Sequence, residues 1–462
     1  MSAEPLGSLL PDVRVPPPGP ASRALAERLR AVESRNVTYL ADDWPVFWEE
    51  AAGANVRDGD GNVYVDLTGG FGVAFLGHAH AGVAVAVARQ AQRLVHGLGD
   101  VHPPALKVRL LERLAELMPW RETRGVLAST GSEAVEIALK TALLATGKPG
   151  VLAFEGAYHG LTLGSLAVTW RPLFRAPFTA RLYRGVAFAP FPQRDGVARR
   201  DGAARGGGVA RGVSADAALE RVRRLLREGA PNGDPIGAVI IEPVQGRAGV
   251  RLAPKGFMAE LSRLASDAGV VVIADELMTG MGRCGAMLAS ERVGLEPDLV
   301  CIGKALGAGL PLSACLGARR VMDAWPVSEG EAVHTSTFLG HPLACAAALG
   351  ALDSYGPDGI LARAEALGAA LRNRLAERLS GEPGVAEVRG LGLLVGIEFL
   401  AGDTPAAGAA ARVAGSALTR GVLVLPAGDA GEVVELTPPV TLTEAQVDLA
   451  VEVLVSATRE AL

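Results

Sequence analysis

Short apolar segments separated by helical patterns constrain this chain more than any other feature. VLAF (151–154), VAFA (186–189), AVII (238–241), VVVIA (270–274), LVCI (299–302) and LSACLGA (312–318) contain almost no polar residue, and GVLAST (125–130) opens the series. A strand with one wet face alternates polar and apolar residues, whereas a strand covered on both faces reads as a continuous apolar run. Between these runs lie helical stretches. SEAVEIALKTALLATG is stopped by Gly147 and Pro149, and GFMAELSRLASDAG is another. Alternation of this kind predicts an α/β fold, a mostly parallel central sheet with helices on both faces.

The flanks read differently. Residues 1–20, with PDVRVPPPGP, read as a flexible Pro/Gly-rich arm, and 21–79 as the N-terminal part of a smaller domain: a helix at ASRALAERLRAVESR, then a strand at NVYVDLT after the turn DGDGN. The large domain spans 80–342. Within it, 194–212 (RDGVARRDGAARGGGVARG) is low-complexity and lacks core-forming residues, so it reads as a surface insertion. From 343 to 462, helices alternate with VAEVRGLGLLVGIEF, GVLVLPAG and GEVVELTPP, completing a small α+β domain with the helix TEAQVDLAVEVLVSATREAL.

A formal net charge of −5 gives no footprint for nucleic acid, and no apolar stretch reaches the roughly 18 residues of a membrane span. The start, MSAEPLGSLLPD, lacks the pattern of a signal peptide. The expectation is a soluble, cytoplasmic protein. Cys284, Cys301, Cys315 and Cys345 show no C-x-x-C spacing and read as small buried apolar residues. His78-x-His80 lacks a third ligand nearby, so no metal site is expected. Only five of the 45 basic residues are lysines (Lys107, Lys140, Lys148, Lys255 and Lys304), so any amine nucleophile is one of five.

In open parallel sheets, ligands sit beyond the carboxyl ends of the strands. After GVLAST come Gly131 and Ser132 and then a helix, which is either an ordinary cap through Thr130 or Ser132 or a phosphate site. After VVVIA comes Asp275-Glu276. A nucleotide-hydrolase reading fails there, because neither Gly147-Lys148 nor Gly303-Lys304 has the upstream Gly or the following hydroxyl of a phosphate loop. Gly390, Gly392 and Gly396 are likewise spaced one residue too far for a dinucleotide fingerprint. After LVCIG comes Lys304, the only lysine at a predicted strand end; it is either a structural ion-pair partner or an amine made nucleophilic by partial burial. Tyr158 and His159 follow another strand. A phosphate-binding turn, a flat side chain, a strand-end carboxylate and a strand-end amine, in this order, are what pyridoxal phosphate requires.

Together, STGSEAVEIALK, AYHG, IIEPVQG, VVIADELMTGMGR, PDLVCIGKALGAGLPLSA, HTSTFLGHPLACAAAL and RGLGLLVGIEF resemble the class III aminotransferases of the fold-type-I pyridoxal-phosphate superfamily, from about residue 40 onward. The resemblance implies that Lys304 carries the cofactor as a Schiff base and moves the substrate proton. Asp275, 29 residues earlier, pairs with the pyridine nitrogen. Gly131 and Ser132 hold the phosphate with Thr337 of a second subunit, Tyr158 stacks on the ring beside His159, and Leu277 packs on the other face. Glu242 lies near the site, and Arg389 grips a substrate carboxylate. A homodimer with shared active sites is implied.

Departures from the family pattern blur the substrate. Leu161 stands where Arg is frequent, Arg247 where a Glu often pairs with the counterpart of Arg389, Met278 where Gln often touches the ring hydroxyl, and His341 where Asn is usual. The expectation is therefore an unpaired Arg389 acting with Arg247 on a dianionic acceptor, and Thr279 or water in place of the missing Gln. Phe71, Val73 and Trp170 are the expected specificity positions. The reaction implied is ping-pong transfer of an amino group from an amino acid or amine to an oxo acid, pyruvate or 2-oxoglutarate. Racemase or epimerase, aminomutase and decarboxylase chemistry on the same fold is the alternative, and a non-enzymatic scaffold a third.

Overall fold

The computed structural model describes residues 6–193, 213–355 and 359–462; the expected insertion at 194–212 lies outside them. Contacts divide the chain into two compact units. One combines the residues up to Ala81 with Arg363–Leu462, and the other is Gly82–Ala362.

The second unit is built on seven strands: β1 (Thr123–Ala128), β2 (Gly150–Phe154), β3 (Val186–Ala189), β4 (Ile236–Ile241), β5 (Val271–Asp275), β6 (Leu299–Ile302) and β7 (Ser313–Ala318). Their order is β1-β7-β6-β5-β4-β2-β3. β7 runs antiparallel to both neighbours, and every other pairing is parallel. All residues of β2, β4, β5, β6 and β7 are buried, the reason their sequences show no alternation.

The helix Gly131–Thr146 covers part of this sheet, burying Val135, Ile137 and Ala138 with Ile240, Ile273 and Leu299. Its start is a capping box: the Glu133 N–H donates to Thr130 Oγ1 (3.2 Å), and Glu133 Oε2 accepts from the Thr130 N–H (3.0 Å). Gly147, at φ +65°, ends it in the left-handed conformation that glycine adopts without penalty. The helix Pro342–Leu352 packs on the Lys304 turn and on the helix Ala105–Ala115, so it belongs to this unit. The domain boundary expected at 343 accordingly falls at 363.

The first unit is α+β. One sheet joins Trp48–Ala52, Asn55–Asp58, Val63–Asp66 and Val422–Leu423; a second, antiparallel sheet orders Val385–Leu391, Leu394–Ala401, Val433–Leu436 and Leu425–Ala427. Its core sets Leu371, Leu375, Val413, Val447 and Leu454, from the helices Ile360–Arg378, Ala409–Thr419 and Glu444–Ala461, against Val395, Ile397 and Phe399. The described part of the segment expected to be a flexible arm, 6–20, is tied down instead. The N–H groups of Gly7 and Leu9 donate to Asn55 Oδ1, those of Arg14 and Val15 to Asn62 Oδ1, and Asp12 bridges Val63. Composition hides this because the anchors are two buried asparagines some fifty residues away.

Two glycines in helices of this unit separate intrinsic propensity from packing. A Cβ on Gly368 would lie 1.9 Å from the Gly392 carbonyl oxygen, whereas one on Gly415 would meet nothing within 4 Å. Gly415→Ala is expected to raise unfolding free energy by about 0.5–1 kcal/mol. Gly368→Ala should lower it by about 1–3 kcal/mol despite the same propensity gain. Urea unfolding of both variants checks the opposite signs; a stabilised Gly368→Ala variant contradicts the close approach.

Candidate active site

Five chain segments converge at the carboxyl ends of the parallel strands of the second unit. They line a cavity of about 220 Å³ whose wall includes Gly131 and Ser132, Tyr158 and His159, Glu242, Asp275 and Leu277, and Lys304. Thr130, Gly160, Arg247 and Met278 complete the wall.

Asp275 is the last residue of β5 and only 3% exposed. An isolated carboxylate there would cost several kcal/mol. Its Oδ2 lies 2.7 Å from His159 Nδ1, and its Oδ1 accepts the Leu277 N–H at 3.0 Å. An ionised carboxylate only accepts, so Nδ1 carries the proton of that bond. His159 is itself held by its N–H, which donates to Thr169 Oγ1 at 2.9 Å; Thr169 Oγ1 in turn donates to the Gly160 carbonyl. The other ring nitrogen, Nε2, is buried without a partner among the described residues.

Lys304 opens a tight turn, Lys304–Gly307, between β6 and β7. It adopts φ +45° although it is not a glycine. Such a conformation costs about 1–3 kcal/mol and persists only where the surroundings impose it, a recurrent property of functional turns. None of the other lysines lines the cavity. Lys107 Nζ donates to the Gly99 carbonyl, Lys148 Nζ to that of Ala268, Lys140 Nζ bonds His334 Nδ1, and Lys255 is exposed. Leu277 is wedged beside Lys304: a Cβ on either Gly131 or Gly303 would come within 2.8 Å of its methyl groups.

Of the two readings of the Gly131-Ser132 turn, the capping one is made by the flanking residues. Thr130 and Glu133 perform the capping, and the T-x-x-E spacing was the available signal. That leaves the first two N–H groups of the helix, on Gly131 and Ser132, without intrahelical partners, as helix geometry requires. Ser132 Oγ accepts the Leu161 N–H at 3.2 Å, and a Cβ on Gly160 would overlap that oxygen at 2.2 Å.

Glu242 is buried. Its two oxygens accept the N–H groups of Tyr158 (3.0 Å) and Gly246 (3.3 Å). Burial pushes its carboxyl up to about 7, with His159 acting in the opposite sense and Asp275 reinforcing the rise. Burial also raises the Tyr158 phenol, against the pull of Arg247 and Arg171. Glu276, next to Asp275, is a third buried acid. It points to Thr279 Oγ1 and accepts the Ser290 N–H at 2.7 Å. The Thr279 hydroxyl is thus committed to Glu276, so it does not take the place left by Met278.

Other expected site residues fall elsewhere. Thr337 is exposed in the loop before Leu339 and does not line the cavity, nor does Trp170, whose ring meets Phe188 edge-on at 5.0 Å. Phe71 and Arg389 belong to the first unit. Phe71 is 56% exposed, at φ +60°. Arg389 corrects an expectation: Nη1 is 2.5 Å from Glu398 Oε2 and 3.1 Å from Glu387 Oε2, so the arginine expected to lack an acidic partner has two. Both acids come from its own sheet, where Glu387 faces Glu398 across adjacent strands, a pairing that sequence motifs did not encode. His78 bonds Asp66 Oδ2 at 2.8 Å, and the four cysteines are buried.

Comparison with known proteins agrees with this geometry. Among solved structures, an amine transaminase from an uncultivated Pseudomonas species, in its PLP-bound form, superposes with a TM-score of 0.83 at 29% identity, covering 93% of this chain and 99% of that one. The architecture is that of the fold-type-I pyridoxal-phosphate transferases. The class-III aminotransferase family profile matches residues 38–458. The 5-aminovalerate aminotransferase of Pseudomonas aeruginosa is 35% identical over 94% of this chain and 97% of its own length. The 4-aminobutyrate aminotransferase of Mycobacterium leprae is 35% identical over 92% and 93%. The chain belongs to the class III aminotransferases and is a pyridoxal-phosphate-dependent transaminase. The racemase, aminomutase and decarboxylase alternatives gain no support from these relatives.

The cavity fits that cofactor on its own terms. It offers helix N–H groups for a phosphate, a narrow slot beside Leu277 kept open by glycines that a Cβ would fill, a buried carboxylate for a ring nitrogen and an amine for an aldehyde. The raised Glu242 carboxyl also makes a stability prediction for the cofactor-free protein. A folded pKa of about 7 against an ordinary 4.5 means that this contribution is full below pH 4.5 and is lost as pH rises through 7. The difference amounts to about 3 kcal/mol. Unfolding free energies of wild type and Glu242→Gln between pH 5 and 8.5 should show a shallower alkaline loss in the variant; parallel curves refute the assignment.

Proposed function

We propose that Lys304 is the lysine that carries the cofactor and moves the substrate proton through its Nζ, and that Asp275 is the partner of the cofactor's ring nitrogen. The observation that carries this reading is the position of Lys304: alone among the five lysines it lines the cavity, on a turn held at positive φ, opposite a buried Asp275–His159 pair. When bound, pyridoxal phosphate supplies an aldehyde that links to amines and an electron-poor ring that stabilises negative charge on the neighbouring carbon. The protein's part is to orient and to handle protons. His159 holds the Asp275 carboxylate in place through its Nδ1. Gly131 and Ser132 receive the phosphate at a helix N-terminus, where partial positive charge gathers. Tyr158 and Leu277 confine the two ring faces, and Glu242 fixes the Tyr158 backbone.

An amino donor and an oxo acid are the substrates of the family. We assign a donor of the ω-amino-acid type, as the names of both relatives suggest, and pyruvate or 2-oxoglutarate as acceptor. Arg247, on the cavity wall, is the proposed substrate contact. The protein acts as a cytoplasmic homodimer in which Thr337 of a second copy completes the phosphate site; the exposure of Thr337 supports that role. No helix among the described residues is long and apolar enough to cross a membrane.

Borohydride fixes such a cofactor to the lysine that bears it. Reduction of the holoprotein followed by peptide mapping should label Lys304, and Lys304→Ala should lose amino transfer by at least about 10²-fold, the lower range of general acid–base contributions. Label on another lysine overturns the assignment.

A further inference from the structure

On the helix Gly131–Thr146, Ser132 and Glu136 stand four residues apart and so share one face. Both reach the chain that follows Gly160. Ser132 Oγ accepts the Leu161 N–H at 3.2 Å. Glu136 Oε1 accepts three donors: the Thr162 hydroxyl at 2.7 Å, the Gly164 N–H at 2.9 Å and the Ser165 N–H at 3.2 Å. The last two belong to the first turn of the helix Leu163–Val168, where N–H groups have no intrahelical partner. Thr162 precedes that turn, yet among the described residues its side chain accepts none of those N–H groups. One helix is thus capped from the flank of another.

The approach is close. A Cβ on Gly164 would lie 2.1 Å from Glu136 Oε2, and one on Gly160 would lie 2.2 Å from Ser132 Oγ. Only glycine leaves room for backbone this near to the two side chains. At its base the loop is closed on itself. The Trp170 N–H donates to the Ala157 carbonyl at 2.8 Å, and Thr169 Oγ1 accepts the His159 N–H and donates to the Gly160 carbonyl. Leu166, Ala167 and Val168 are buried in the core that Val135 and Ile137 share.

Residues 157–170 are therefore a loop fastened at its base by its own backbone and at its tip by Ser132 and Glu136. The loop brings Tyr158, His159 and Gly160 to the cavity wall, and the helix that grips it opens with Gly131 and Ser132 on the same wall. Glu136 itself does not line the cavity. It joins the part of the wall assigned to the phosphate to the part assigned to the ring. A single ionised oxygen taking three donors makes a stiffer joint than neutral bonds would, because charge-assisted bonds are the stronger ones.

We propose that Glu136 is a positioning residue for the cofactor: it fixes the Tyr158–His159 segment relative to the Gly131 and Ser132 N–H groups, and thereby sets how tightly and in what orientation pyridoxal phosphate is held. The proposal rests on the assignment of those residues to the cofactor made above.

The test titrates pyridoxal phosphate into wild type, Glu136→Ala, Glu136→Gln and Thr162→Val, reading Kd from absorbance and orientation from the circular dichroism of the bound cofactor. Gly368→Ala, a destabilised variant of the other unit, controls for stability alone. Glu136→Ala should raise Kd on the order of tenfold to a hundredfold and weaken the dichroic band per bound cofactor. Glu136→Gln keeps an oxygen that accepts the same three donors, so its Kd should stay within about fivefold of wild type. Thr162→Val, which removes one donor, should fall between wild type and Glu136→Ala. Gly368→Ala should bind within about twofold of wild type, since distant sites act independently. Wild-type Kd and band in Glu136→Ala, or a Gln variant as impaired as the Ala variant, overturns the proposal. So does a Gly368→Ala variant that loses cofactor equally, which would make the effect one of general stability. Should Glu136→Ala not fold, a wild-type Kd in Thr162→Val overturns it as well. Borohydride reduction of the wild-type holoprotein separates the two levels. Label on Lys304 leaves the site standing whatever the variants do, whereas label on another lysine overturns the site and the positioning role with it.

Discussion

A carboxylate buried at the end of an apolar strand has to be compensated, and that requirement organises the larger unit. Asp275 is almost fully enclosed, and its two oxygens are used by His159 and by the backbone of Leu277. His159 comes from the segment after β2, so one hydrogen bond ties together the ends of two strands with β4 between them. Replacing His159 by an apolar residue would leave that charge unpaired at a cost of about 3–5 kcal/mol. The bond that makes burial tolerable therefore also fixes where the carboxylate sits on the cavity wall.

The remaining groups arrive by the same geometric rule. In a parallel sheet every strand delivers its next residue to the same edge, so Gly131, Tyr158, Glu242, Asp275 and Lys304 meet despite wide separation in sequence. β7 is the exception in direction, and it matters. Because it returns antiparallel from β6, the connection is a tight turn rather than a helical crossover, and Lys304 is confined in that turn. The glycines at 131 and 303 let Leu277 settle close beside it.

Much of this was legible in the residues. The unbroken apolar runs encode strands covered on both faces, and the residues just after them are where ligands bind, so Lys304, Asp275 and the Gly131 turn could be found without coordinates. The cap was half legible: Thr130 marks its start, while Glu133 three residues on carries the rest of the signal. What stayed hidden were pairings across elements. Nothing near Arg389 in a motif marks Glu398 as its partner, because that ion pair is made by strand register in an antiparallel sheet. Thr279 looked available for a ring contact until its hydroxyl was found on Glu276. The N-terminal segment looked loose because its Pro and Gly content reports chain preference and not the two asparagines that fasten it.

By itself, then, the sequence determined the fold class, the order of the elements and the placement of Lys304 and Asp275 at strand ends, since these depend on hydrophobic periodicity and on local position relative to those ends. Only the tertiary structure decided which charges are already spent. Arg389 is neutralised by its sheet neighbours, and Glu242 is buried far enough to hold its proton near neutrality. The physical reason is that the state of a charged group follows from burial and from through-space partners, and both are settled only when distant segments are packed together.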